Sequence, residues 1–439
     1  MNALPLIRPG SLSDGDSPTE ESLAREWVAI HHANWRFDHG LSRWFRWDNT
    51  RWRHDDAHLA RHLIGEHLRA AAAGNKKAAS VPRAGVAKGV EYFAQVNPRV
   101  AVAHNVWDAD PFLLGTPGGT VDLHSGKLIA ATPDQWITRS TSVAPAPGEP
   151  ARWLQFIAEV TNGDVEFARY LQCILGYSLT GSTREHALFF AEGAGGNGKS
   201  VLLNTATRIL GEYATTAAMD TFTASKGDRH PTDLARLDGA RLVAASETTE
   251  GRAWDESRIK QLTGGDTIAA RFMRADFFEF VPRFKLLVVG NHAPVLHNVD
   301  DAMRRRFNVL PFHYKPPKPD RELEAKLEAE HPQILQWMID GCLDWQASGL
   351  VRPQAVSDAT DGYFSGQDLL GQWLEDRCVQ ERGRLYLKKA AFEDWSHFAR
   401  DNGEQPGTQN TFTRRLEKRG VVEKRTAMGR YYSGIDRRQ

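Results

Sequence analysis

The chain has 439 residues, enough for about two to four domains with real cores, and its 55 Lys and Arg balance its 55 Asp and Glu. With no net field to draw the whole molecule onto nucleic acid or membrane, any nucleic-acid surface must be local. The three cysteines, Cys173, Cys342 and Cys378, are odd in number and far apart, which excludes a disulfide framework or a zinc ribbon and fits a reducing cytoplasm.

The opening MNALPLIRPGSLSDGDSPTE lacks the basic start and apolar core of a signal peptide, and residues 1–20 read as a disordered Ser/Asp/Pro-rich segment. No run approaches the ~20 apolar residues that span a bilayer, so no membrane partner is expected. Residues 21–34 read as a helix, RWFRWDNTRW (43–52) as two short strands around Asp48-Asn49, and 56–73 as a second helix. A Gly/Ala/Lys-rich loop is expected from there to about residue 88. FLLGTPGGTVDLHSGKLI (112–129) carries two turn signals between short strands, and APAPGEP (144–150) reads as a linker. Trp153, Phe156, Ile157 and Val160 open a helical stretch over 151–180. From 186 to 312 continuous apolar strands alternate with helices (ALFFAE, a helix to Leu210, ARLVAASE, a helix near 255–263, RFKLLVVGN). That pattern predicts a parallel sheet covered on both faces. KPPKPD (315–320) breaks it. A charged helix (320–330), an amphipathic one (333–347) and, from about 355, a small separate domain follow.

The strand FFAE runs into GAGGNGKS, a G-x-x-x-x-G-K-S loop whose backbone N–H groups and following helix N-terminus suit a phosphate. Gly193, Ala194, Gly195, Gly196, Asn197 and Gly198 form the cradle, with Val201 in the first turn beyond it. Lys199 is expected to neutralise β/γ-phosphate charge, and Ser200 to ligate Mg²⁺. ATP and Mg²⁺ are the cofactors this implies. Glu247, directly after the apolar ARLVAAS run, is the candidate catalytic acid and a further metal ligand. Asn291, ending RFKLLVVGN, is suited to orienting water near a γ-phosphate. Arg304, Arg305 and Arg306 precede another apolar strand, where an arginine could reach a neighbouring subunit's γ-phosphate.

GAGGNGKS, LDGARLVAASE, IKQLTGGDTIAARF, FKLLVVGNHAP and MRRRFNVLPF, in this order and spacing, resemble the superfamily 3 helicases found as the C-terminal half of phage and plasmid primase–helicases, related to poxvirus NTPases. WFRWDNTRW, GGTVDLHSGKL and LQCILGYSLTGSTREH look like that family's upstream domain, and DATDGYF and FTRRLEKRGV…GRYYSGI like its C-terminal module. The resemblance implies an α/β architecture. Its parts are an α+β N-terminal domain (21–150), a helical collar (151–185), an AAA+-like P-loop ATPase core (186–315), a helical extension (316–350) and a winged-helix-like domain (355–439). It further implies hexameric rings and ATP-driven, typically 3′→5′, translocation on DNA in a bacterial host cytoplasm. The partners are single-stranded and forked DNA and a separate primase or polymerase. Carried over by position, Lys199 and Ser200 bind nucleotide and Mg²⁺, Glu247 is the acid, Asn291 the sensor, and Arg305 and Arg306 correspond to the paired arginines near the family's finger, with either one open to be the residue that reaches the neighbour. Arg304 departs from the family, which often has an aromatic residue there.

In such helicases a β-hairpin projects into the pore, and TIAARFMRADFFEFVP (267–282) reads as strand–turn–strand. Arg271 and Arg274 are its expected DNA-binding cations, with Lys260 on the preceding helix a weaker one, unless these pair with local acids. FTRRLEKRG resembles a recognition helix followed by a two-stranded wing, giving Arg414, Arg415 and Lys418 as a second DNA-binding set; a solvated charged helix is the alternative. The tryptophans between Trp27 and Trp52 are expected in a small sheet's core, with Arg43, Arg46, Arg51 and Arg53 on its wet face. Asp108 and Asp110 read as an ordinary turn and the histidines show no metal spacing. Two other function classes share the loop. An initiator or loader ATPase hydrolyses ATP without displacing strands, and a small-molecule kinase needs neither DNA nor an arginine in trans.

Overall fold

The computed structural model describes residues 18–73, 81–224, 232–246, 252–273, 276–296, 300–402 and 405–438. Helix α1 (Glu20–His31) starts on a capping box in which Thr19 and Ser22 bond each other's backbone. Strands β1 (Trp35–Asp38), β2 (Arg43–Trp47) and β3 (Trp52–His54), helices α2 (Leu59–Ala72) and α3 (Ala84–Gln95), and β4 (Ala101–Val102) follow. The sheet runs β3-β2-β1-β4, with β4 parallel to β1. Its core holds Trp27 edge-on to Trp44 at 5.5 Å, with Trp35 at 6.1 Å from Trp44. Arg43 and Arg46 face water as expected. Arg51 does not: it is buried and donates to Glu212 Oε1 at 3.0 Å, tying this unit to the central one. The loop expected up to residue 88 ends earlier, because AGVAKGVEYFAQ forms α3. Burial of Val90, Glu91 and Ala94 outweighs its glycines.

A three-stranded meander, β5 (Leu113–Thr116), β6 (Gly119–Asp122) and β7 (Lys127–Ile129), leads to the collar helices α4 (Ala151–Val160) and α5 (Val165–Tyr177). The 144–150 stretch is not a free linker, since Ala146 N–H donates to Pro332 O at 3.1 Å. Asp108 and Asp110 are turn residues, accepting from Thr138 N at 3.0 Å and Phe112 N at 2.8 Å.

The central unit comprises β8 (Leu188–Glu192), α6 (Lys199–Leu210), β9 (Ala214–Thr216), α7 (Thr232–Ala235), β10 (Leu242–Ser246), α8 (Glu256–Gly264), β11 (Ile268–Ala270), β12 (Phe278–Phe280), β13 (Lys285–Gly290), α9 (Asp301–Arg306) and β14 (Phe307–Pro311). Its sheet has the order β14-β8-β13-β10-β9, every pair parallel. β11 and β12 form a separate antiparallel hairpin. Helices α10 (Leu323–Ala329) and α11 (His331–Ser348) return to the collar. One continuous core joins α4, α5, α11, the β5–β6 side chains Leu114 and Val121, and one face of the sheet.

Helix α12 (Gln354–Gln367) departs from the sequence reading, which assigned it to the C-terminal unit. It packs on the other sheet face, where Tyr363 stacks on Phe307 at 5.1 Å and Thr360 Oγ1 accepts from Val309 N at 3.0 Å. The small C-terminal core begins only at Leu369. It contains α13 (Leu369–Arg377), β15 (Cys378–Leu387), α14 (Lys388–Asp401), α15 (Gln409–Glu417), β16 (Val422–Thr426) and β17 (Gly429–Arg437), with sheet order β15-β17-β16. The three cysteines are free and buried. Among the described residues no helix is long and apolar enough to cross a membrane.

Candidate functional site: a phosphate loop at the sheet's C-terminal edge

Register brings the candidate residues together. Glu192 of β8 pairs with Gly290 of β13 and Pro311 of β14, and Ser246 of β10 with Val289. The strands therefore end level, and a cavity of about 1060 Å³ opens at their C-terminal edge, the usual ligand position in an open parallel sheet. Gly195, Gly196, Asn197, Gly198, Lys199, Ser200 and Val201 line it together with Asn291. Gly193 and Ala194 form the loop's entry, and their carbonyls accept from Lys199 Nζ at 2.5 and 3.2 Å. Glu247 lies outside the described residues; Ser246 before it lines the cavity.

Two glycines are sterically required. A Cβ on Gly193, at φ +153°, would sit 2.0 Å from Phe312 O, and one on Gly198, at φ +89°, 2.7 Å from Val160 and 2.9 Å from Phe156. Gly198 thus lets collar helix α4 press directly on the loop. It also begins α6 without a side-chain cap, so the first-turn N–H groups of α6 remain available to an anion. Asn197, buried, donates to Phe312 O and accepts from Lys199 Nζ at 2.8 Å. Lys199 is itself buried. Desolvation lowers its ammonium pKa below the ordinary lysine value, while the Glu192 charge pulls the other way. A site that strips water from an ammonium and gives it mainly neutral oxygens favours an added anion. The exposed Ser200 hydroxyl is a suitable hard ligand for Mg²⁺ beside phosphate oxygens. Among the described residues no cluster of three His, Cys, Asp or Glu could hold a metal alone.

The three arginines separate. Arg304 lies over the Phe364 ring at 4.8 Å and 4.0 Å from Asp361, and Arg306 donates to Ala302 O at 3.0 Å on its own helix. Arg305 is exposed and has no partner among the described residues. Phe307, next in the chain, pairs with Leu188 at the start of β8, so α9 sits about 13 Å of strand rise from the phosphate loop that follows Glu192. Sequence reasoning missed Arg352, which donates to Arg305 O at 2.9 Å and Asn308 Oδ1 at 2.7 Å and so caps the end of α9. It also missed Tyr170, whose hydroxyl donates to the same Asn308 oxygen at 2.8 Å.

The expected DNA-facing cations behave differently from one another. Lys260 is engaged, with Nζ 2.5 Å from Asp300 Oδ2, while the other Asp300 oxygen caps α9 at Met303 N. Arg271 is exposed at the hairpin, 4.8 Å above the Phe277 ring; Arg274 lies outside the described residues. On α15, Arg414 and Lys418 are exposed without a partner among the described residues, whereas Arg415 leans over Trp395 at 5.6 Å. Arg419 is paired with Asp368 at 2.5 Å.

A glycine-rich loop between strand and helix, at the C-terminal edge of a parallel sheet, makes this a protein of mixed α/β fold with a candidate phosphate-binding loop. The comparisons narrow this class. Residues 23–162 match the D5 N terminal like family and residues 191–306 match a family of unknown function, DUF5906. Among curated relatives, the protein named "Putative helicase L207/L206" from Acanthamoeba polyphaga mimivirus is 25% identical over 300 residues, covering 62% of this chain and 31% of that protein. "Putative helicase 022R" from Frog virus 3 (isolate Goorha) is 25% identical over 245 residues, covering 50% of this chain and 25% of that protein. The chain thus spans about a quarter to a third of the length of these relatives. In fold it is similar to two apo structures of the NrS-1 C terminal region. TM-scores are 0.56 and 0.53 at 12% identity, over 95% of this chain and 99% of those chains. Taken together, these matches support a likeness to phage and viral primase–helicases of the superfamily 3 type.

Proposed function

We propose that the chain is the ATP-driven DNA helicase motor of a phage, plasmid or integrated element, working as a ring, with 3′→5′ travel as the direction the family resemblance implies. The observation that carries this reading is the opposition of two half-sites. Lys199, Ser200 and Asn291 gather at one end of the sheet, and the exposed Arg305, without a partner among the described residues, stands at the other. An arginine that cannot reach its own phosphate loop completes a site only on a neighbouring copy, which makes head-to-tail assembly part of catalysis. In this reading Lys199 exchanges Gly193 O, Ala194 O and Asn197 Oδ1 for phosphate oxygens. Ser200 and Glu247 hold Mg²⁺, which supplies charge neutralisation at the β- and γ-phosphates when bound; Glu247 also activates water and Asn291 orients it. The strand order 14-8-13-10-9 and flanking helices support an AAA+-like core over 186–315, with α12 added to it. The helix–strand–helix–helix–strand–strand order from 369 supports a winged-helix-like module that presents Arg414 and Lys418 to duplex DNA. The β11–β12 hairpin presents the exposed Arg271 to single-stranded DNA in the pore, and Arg274, outside the described residues, is the second cation the sequence assigns to that role.

The deciding experiment is displacement of a labelled strand from a forked duplex with ATP and Mg²⁺. The wild-type chain is expected to displace it and Lys199→Ala to lose both displacement and hydrolysis. Arg271→Ala combined with Arg274→Ala should lower displacement far more than hydrolysis. Hydrolysis without displacement by the wild type would mean a loader or initiator instead.

A further inference from the structure

We infer that the end of the cavity walled by collar helix α4 is a ribose-reading subsite, an inference that rests on the nucleotide reading above. Phe156 and Val160 lie against Gly198, so α4 forms a wall of the phosphate loop. The adjoining strip of α4, Arg152, Gln155 and Glu159, lines the same cavity as Ser200 and Asn291. Spacings of three and four residues put these polar side chains on one helix face.

Their bonding is incomplete in a specific way. Glu159 Oε1 accepts from Gln155 Nε2 at 2.8 Å, and its Oε2 lies 3.6 Å from Arg152 Nη2. Arg152 Nη1 is buried and has no hydrogen-bond partner among the described residues. Asp320, the other acid lining this end, is taken up by Lys326 Nζ at 2.9 Å and does not complete Arg152. A buried donor left unmet is costly, and a carboxylate with spare lone pairs beside it asks for a donor. The ligand group that answers both at adjacent atoms is one that donates and accepts from neighbouring positions, a vicinal diol. In a nucleoside triphosphate that is the 2′,3′-diol of the ribose. Phosphate is disfavoured beside Glu159 because that charge repels it, whereas Lys199 and the α6 N-terminus attract it. Leu323 and Val201, also in the lining, offer apolar surface for the base.

The test is steady-state hydrolysis by the full chain, with Mg²⁺ and single-stranded DNA, of ATP against 2′,3′-dideoxyATP. Thermal shifts with each nucleotide give a second readout. The wild type is expected to show a KM for dideoxyATP raised roughly tenfold or more, with kcat within about twofold, because the lost bonds are to charged groups made equally in ground and transition states. Glu159→Gln, isosteric and partly exposed, should bring the ATP/dideoxyATP ratio of KM values close to one, and Arg152→Gln should do the same. Equal KM values in the wild type, or a Glu159→Gln variant that keeps the discrimination, would overturn the subsite. Equal use of both nucleotides with an inactive Lys199→Ala variant removes the ribose inference and leaves the phosphate loop standing. If neither nucleotide is hydrolysed or shifts the melting temperature, both fall.

Discussion

Arg305 and Arg306 are neighbours in sequence with opposite surroundings. Arg305 is exposed while its carbonyl is capped by Arg352, so the last turn of a short helix is fixed and the guanidinium has no partner among the described residues. Arg306 bonds Ala302 O and keeps a buried Nε, which makes it part of the helix's own packing. Arg305→Ala is therefore expected to lower kcat for ATP on the order of a thousandfold while ATP affinity stays within about threefold. Arg306→Ala should keep turnover within about threefold of wild type. Equilibrium binding and turnover measured on both variants decide it, and the reverse pattern would move the finger to Arg306. At this scale the phosphate loop was legible, because a glycine at φ +89° and a lysine closing on its own loop are local chemistry. The Arg352 and Tyr170 bonds to Asn308 were not, since they join positions 44 and 138 residues apart that carry no sequence pattern. Lys260 shows the same limit from the other side: a cation in the expected helix whose pairing with an acid 40 residues away the sequence does not reveal.

Among the elements, α12 was the least readable. Its DATDGYF run looks like a terminal module, yet Tyr363 and Phe364 occupy the sheet's core around Phe307. The Tyr363 hydroxyl accepts from Trp254 Nε1 at 3.1 Å and donates to Pro294 O, which follows the Asn291 strand end by three residues. Tyr363→Phe leaves a buried indole N–H and a carbonyl unmatched and is expected to cost about 1–3 kcal/mol of stability. Denaturant unfolding of the full chain measures it, and an unchanged midpoint would mean that α12 is not bound into the core through this hydroxyl. Strand elements were recovered more fully, because runs such as LLVVG, buried on every residue, have no other stable placement than the middle of a two-sided sheet. Helix α3 was lost for the opposite reason: only packing against α1, not its Gly- and Ala-rich composition, orders it.

At the scale of the whole molecule, the sheet separates the two proposed half-sites, at Lys199 and at Arg305, by its own length. A parallel strand carries its ends to opposite edges, and β14 begins at the arginines and ends beside Glu192. The collar, meander and α11 share one core with the sheet, so a subunit moves its Lys199 edge and its Arg305 edge as one body. Complementation between two inactive variants follows from this geometry. A Lys199→Ala subunit still offers Arg305 to its neighbour, and an Arg305→Ala subunit still offers Lys199, so a mixed assembly contains junctions in which both groups are intact. With equal amounts and random order, one junction in four has this arrangement, and ATPase activity should recover to about a quarter of wild type. The mixture is assayed after co-assembly with ATP and DNA, beside each variant alone. Activity no greater than the mean of the two separate variants would show that Arg305 does not act across a subunit boundary.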